Sequence, residues 1–108
     1  MLEKAFTIHI QSPQGIRGIH PLTIAIRTNL ALHDVMNEMA YEDQVFIRCG
    51  SMTAGKAANS IPEESYLKGI LLTAAPTAEE ACCKRIKEIA ESTAVAFRAS
   101  AEVTWERR

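Results

Sequence analysis

Ala5-Phe6-Thr7-Ile8-His9-Ile10-Gln11 alternates between two kinds of residue along its length. Phe6, Ile8 and Ile10 share one face of an extended chain, and Thr7, His9 and Gln11 share the other. The pattern predicts a half-buried strand, with one face on a core and one toward water. Ser12-Pro13-Gln14-Gly15 follows as a turn. Pro21 then stands where a helix can begin, because its fixed φ suits the first helical residue and its missing N–H is not needed there. From Leu22 to about Ala40 the apolar positions Ile26, Leu30, Val35, Met36, Met39 and Ala40 keep an imperfect helical period. Asn29 or His33 could break that stretch into two helices.

Farther along, residues 44–49 alternate again, with Val45, Ile47 and Cys49 on one side. Gly50-Ser51 reads as a turn into a weaker strand, residues 52–54. Residues 57–61 suit a short helical stretch that Pro62 stops. Residues 69–75 are an apolar run with the length of a buried strand. Pro76-Thr77 opens the clearest helix. Thr77 lies three residues before Glu80, the spacing of a capping box, in which each side chain accepts from the other residue's N–H. Cys82, Ile86, Ile89, Thr93 and Phe97 form one stripe at helical spacing. After about Ala99 the tail either adds a strand over residues 102–105 or stays mobile.

This order predicts an α+β fold: an open-faced sandwich with an antiparallel four-stranded sheet and helices on one face. The 108 residues suit a single domain, 1–108, with a C-terminal extension from about residue 99. A hydrophobic share of 47% is enough for a core, and a net charge of -1 sets up no field for nucleic acid. Three cysteines make no even disulfide framework, and no apolar run suits a signal core or a membrane span. The expectation is a soluble, cytoplasmic protein with reduced thiols.

Two motifs have plain readings. Gly50-Ser51-Met52-Thr53-Ala54-Gly55-Lys56-Ala57 comes close to a phosphate-binding loop, but Ala57 stands where the magnesium-binding hydroxyl belongs, so a turn with a surface lysine is preferred. Cys82-Cys83 lacks metal-ligand spacing, and Cys82 on the apolar stripe reads as core. His9 is expected on the far side of its strand, His33 on the surface, and the pairs Glu63-Glu64 and Glu79-Glu80 in water. No cofactor and no metal is expected.

Gly15-Ile16-Arg17-Gly18-Ile19-His20-Pro21 carries the candidate chemistry. A histidine just before a helix can hold a phosphoryl group, because the exposed N–H groups and the positive dipole end attract negative charge. The element order, Gly18-Ile19-His20, and the spacing from Gly50 through Lys56 to Lys68-Gly69-Ile70-Leu71-Leu72-Thr73 together resemble the HPr family of histidine-containing phosphocarrier proteins. The resemblance covers about residues 5–92 and implies a β-α-β-β-α-β-α order.

The resemblance also implies that a phosphoryl group is relayed between phosphotransferase-system proteins in sugar transport. His20 would be the phosphoacceptor. Arg17 would stabilise the phosphate or, under the other alignment, occupy the acceptor slot. Ile16, Ile19, Leu22, Ala58 and Ile61 would dock the partner. Pro21 and Leu22 replace the family's threonine and arginine, and Ala57 replaces its regulatory serine. The alternative is an HPr-like regulatory or interaction module that has lost phosphoryl transfer. Phosphotransferase-system proteins or another regulatory protein would be the partners, with self-association through the tail as a further possibility.

Overall fold

The computed structural model describes residues 1–12, 21–39, 43–55 and 63–108. In these, β1 (Leu2–Gln11) leads to α1 (Pro21–Glu38), β2 (Phe46–Thr53), β3 (Glu64–Thr73), α2 (Pro76–Ala96) and β4 (Ser100–Arg107). The strands make one antiparallel sheet in the order β2-β3-β1-β4. This is the split βαβ, or ferredoxin-like, arrangement. The α+β class, the four-stranded antiparallel sheet and the helices on one face are as the sequence predicts.

β1 is one of the two central strands, and its burial alternates regularly. Phe6, Ile8 and Ile10 are each at most 2% exposed. Its register with β3 places Leu67 beside Ile8 and Gly69 beside Phe6, and its register with β4 places Val103 and Trp105 beside the same two residues. The core continues into Ile24, Leu32 and Val35 of α1 and Cys82, Ile86 and Ile89 of α2. α1 covers the β2–β3 half of the sheet, and α2 lies mainly over β4. Ser65 Oγ donates to the carbonyl of Pro21 at 2.9 Å, pinning the start of α1 to β3. No described helix is long and apolar enough to cross a membrane.

Several finer expectations are corrected. α1 runs unbroken through Asn29 and His33, because Thr28, Leu32 and Val35 keep its inner face buried. Gly50-Ser51 is not a turn between two strands. β2 is one strand whose pairing with β3 slips between Cys49 and Ser51, a bulge that takes up the extra residue. α2 begins at Pro76 after Ala75, with no side-chain cap, so Thr77 and Glu80 form no capping box. Its proline needs no N–H at that position. The expected short helix over residues 57–61 lies outside the described residues. The last element is a strand: Ala99 N–H donates back to the Ala94 carbonyl at 2.9 Å, Arg98 takes a φ of 59°, and the chain turns into β4.

Glu79 does not join Glu80 in water. It is 5% exposed, and Arg107 at the end of β4 grips it with two hydrogen bonds of 2.7 and 2.6 Å. Lys4 Nζ approaches it at 3.8 Å and lies 5.7 Å from the Trp105 ring centroid. The Arg107 hydrogen bonds hold the Glu79 carboxyl below the usual carboxylate range. The charges of Arg107 and Lys4 add to this, while burial works the other way. One cluster therefore ties α2, β1 and β4 together.

Two outcomes follow from these contacts. A Cβ at Gly69 would collide with the Arg48 carbonyl oxygen and lie 2.6 Å from Phe6 Cζ, whereas one at Gly50 would meet nothing within 4 Å. Gly69→Ala should therefore cost about 2 kcal/mol in urea unfolding, and Gly50→Ala should be near neutral. Because folding lowers the Glu79 pKa, its contribution is present above the unfolded-state value and is lost as pH falls through the folded value. In urea titrations from neutral to acid pH, Glu79→Gln should flatten the acid loss of stability.

Candidate functional site

Any sheet that is not closed leaves two edges, and each presents unpaired backbone groups. Here they are β2 and β4, and their side chains differ. The exposed residues along β4 are Ser100, Glu102, Thr104, Glu106 and Arg107. Two copies of this edge would bring carboxylates toward each other, which opposes pairing. The β2 edge carries no carboxylate: its exposed residues are Phe46, Arg48, Gly50, Ser51 and Thr53. Phe46 is 47% exposed, and in register it lies beside Leu72 on the open face of the sheet.

Above the β2 side stands the outer face of α1. Arg27 points toward α2, with its guanidinium carbon 5.3 Å from the Phe97 ring centroid. Met36 points toward β2, where its Sδ accepts from Ile47 N–H at 3.3 Å. Between these flanks, Ile26 and Leu30 are one helical turn apart and point outward, 46% and 63% exposed. Exposed leucine or isoleucine alone is ordinary on a protein surface. Here two such side chains form a row on the helix that packs over β2 and β3, and Phe46 is exposed separately on the opposite, open face of the sheet. Asn29 lies on the same outer part of α1, and its buried Oδ1 has no hydrogen-bond partner among the described residues.

The other clusters are more self-contained. On the open face, the His9 and Tyr66 rings stack with centroids 4.5 Å apart, and His9 Nε2 lies 2.7 Å from Glu64 Oε2. His9 thus faces away from the core as the alternation predicts, and His33 is exposed. Cys82 is buried in the core. Burial pushes the Cys49 thiol up to about 11, and burial together with the charges of Cys83 and Asp43 pushes Cys82 up to about 11. Neither is a ready nucleophile. Across the helices, Arg85 binds Glu38 through Nε and Nη2 at 2.9 and 3.0 Å. Those hydrogen bonds and the Arg85 charge lower the Glu38 pKa, and burial opposes them.

Of the residues the sequence singles out, Leu22 lies in the first turn of α1, half-buried. His20, Arg17, Ile16, Ile19, Ala58 and Ile61 lie outside the described residues. The β2 edge and the Ile26–Leu30 row escape a reading by spacing. Ile26 and Leu30 look like two more apolar positions of an amphipathic helix, and only the packing shows that they face out.

No family model matches the chain. It is 31% identical over 87 residues to the uncharacterized hydrolase y4tI of Sinorhizobium fredii, a match covering 80% of this chain and 22% of that protein. Among solved structures it resembles part of the Bacillus subtilis YXEP protein, a dinuclear metal-binding peptidase of the M20 family. The TM-score is 0.79 at 22% identity, over 98% of this chain and 26% of that one. It also resembles part of a hydantoinase/carbamoylase family amidase from Burkholderia ambifaria, with a TM-score of 0.81 at 11% identity, over 99% of this chain and 28% of that one. The chain thus spans about a quarter of the length of these proteins.

These likenesses overturn the phosphocarrier reading in both its forms, carrier and interaction module, together with phosphotransferase-system partners and a role in sugar transport. The spacing that suggested them is local. It matches short runs between glycines and misses that the tail, as β4, fills the edge beside β1. One side of the tail is thereby paired within the chain, with β1. The described residues also do not fit a metal centre of the kind the Bacillus protein is said to bind, since no three His, Cys, Asp or Glu side chains among them come together.

Proposed function

We propose that the chain is the assembly module of an M20-type hydrolase, residues 1–108 acting as one domain that joins two copies of the protein through β2 and α1. The observation that carries this reading is the exposed apolar row Ile26–Leu30 on the helix over β2, together with a β2 edge that has no carboxylate and, among the described residues, no strand on its free side. The likeness to a quarter of several hydrolase chains supports the hydrolase context. The substrate and the catalytic groups belong to other parts of such a protein.

The geometry of pairing is simple. A two-fold axis perpendicular to the sheet sets two β2 strands antiparallel and continues the sheet from one copy into the next. The same axis keeps both pairs of helices on one face. The two α1 helices then meet along their outward rows, and Ile26 and Leu30 of each copy are covered. Backbone hydrogen bonds supply the direction of pairing, and apolar burial supplies the driving force.

Sedimentation equilibrium of the 108-residue chain tests the reading. A monomer–dimer equilibrium is expected. Leu30→Glu should raise the dissociation constant by about a hundredfold or more, because it places two carboxylates in the apolar centre of the contact. Glu102→Lys on β4 should leave it unchanged. A chain that stays single at every concentration, or a dimer that responds to Glu102→Lys and not to Leu30→Glu, would remove the proposal.

A further inference from the structure

An uncovered strand edge is a hazard to a free chain, and proteins blunt such edges with side chains. The contact between Ile47 and Met36 is of this kind. Ile47 is in register with Leu71 of β3, yet its N–H donates to Met36 Sδ at 3.3 Å instead of to β3. The amide therefore points to the free side of β2, and the Met36 side chain reaches down from α1 to meet it. Met36 is half-buried and packs against the core, so the side chain is held in place. Ile47 itself is only 5% exposed. Its amide is thus poorly placed to be satisfied by water.

The chemistry of the acceptor matters. A thioether sulfur is a weak acceptor, and a backbone carbonyl is a strong one. A methionine side chain is also unbranched and adapts readily to a new position. Such a group satisfies a buried donor while the chain is alone and gives it up when a better acceptor arrives. Two other sulfurs lie on β2 itself, those of Cys49 and Met52, and both side chains pack against the core on the helix side with Ile47. The charged group of β2 nearest Ile47 in sequence is Arg48, on the opposite face.

We infer that the Met36 thioether is a displaceable cap on the pairing edge of β2, holding Ile47 N–H in the single chain and yielding it to a carbonyl of a second copy. This rests on the assembly reading above and adds to it the residue that sets how readily the edge pairs. Without the cap, a single chain would carry a buried donor with no partner, and pairing would gain by supplying one. With a stronger acceptor in its place, the single chain would be favoured.

Met36→Leu removes the acceptor at nearly constant volume, and Met36→Gln replaces it with an amide oxygen. Two measurements separate the possibilities: hydrogen exchange at Ile47 in dilute, single chains, and the dimer dissociation constant by sedimentation. The leucine variant should exchange faster at Ile47 and bind its copy about fivefold tighter or more, since two caps are lost per dimer. The glutamine variant should shift both in the opposite direction. Unchanged exchange at Ile47 in the leucine variant, or wild-type dimers whose affinity ignores it, overturns the cap and leaves the assembly reading standing. Wild-type and leucine chains that both stay single at every concentration overturn the assembly reading and the cap's displacement with it. Should the glutamine variant fail to fold, the leucine variant alone decides.

Discussion

Three side chains on β1 must lie on one face, and most of the molecule follows from that requirement. Phe6, Ile8 and Ile10 are fully covered, so β1 cannot slip by one residue without turning all three toward water. The same registers place Leu67 and Val103 beside Ile8, and Gly69 and Trp105 beside Phe6. Phe6 occupies the space that a side chain at position 69 would need. The Phe6 and Trp105 rings also meet edge to face with centroids 5.8 Å apart. The central strand is thus locked on both sides by its own alternation, and the helices pack on the surface it creates.

What could be read from the sequence was local. The alternation over residues 5–11, the helix start at Pro21 and the Cys82–Ile86–Ile89 stripe depend on neighbours a few residues away, and each is found where the pattern puts it. The misread features depend on distant partners. Glu79 looks like a solvated first-turn residue until Arg107, 28 positions later, is brought beside it. Gly50-Ser51 looks like a turn because glycine and serine favour turns, but β3 lies alongside and holds the chain extended, with one residue bulged. The phosphocarrier resemblance failed for the same reason. It compared spacings between glycines, which many two-layer α+β chains share, and had no access to the order in which the strands lie. The proposed site was the least legible part, because an outward row on a helix and an inward one have the same period.

The two sheet edges show how the chain separates a closed side from an open one. β4 ends in Arg107, which binds a buried carboxylate on α2, and its outward residues include two glutamates. The edge is thus anchored to the helix layer and repels its own kind. Among the described residues, β2 has no such anchor on its free side. What meets it there is the Met36 thioether at Ile47, while the bulge at Gly50 bends the strand beyond that point. One edge strand is anchored to the helix layer by charge-assisted side-chain hydrogen bonds, and the other has an amide held by one of the weakest acceptors a protein has.

This asymmetry bears on the proposed assembly role. Leu2 and Arg107 lie on neighbouring strands, and Arg108 N–H donates to the Glu3 carbonyl at 3.2 Å, so the two ends of the described chain leave side by side. They leave from β1 and β4, and β3 separates β1 from the β2 edge. With strands about 4.8 Å apart, a body carried on those ends would be set roughly 10 Å or more from the joint between copies. Pairing through β2 would then leave such bodies unhindered, whereas pairing through β4 would bring them into collision. The carboxylates on β4 disfavour pairing at the edge where it would crowd such bodies, and a thioether on β2 opposes pairing there only weakly.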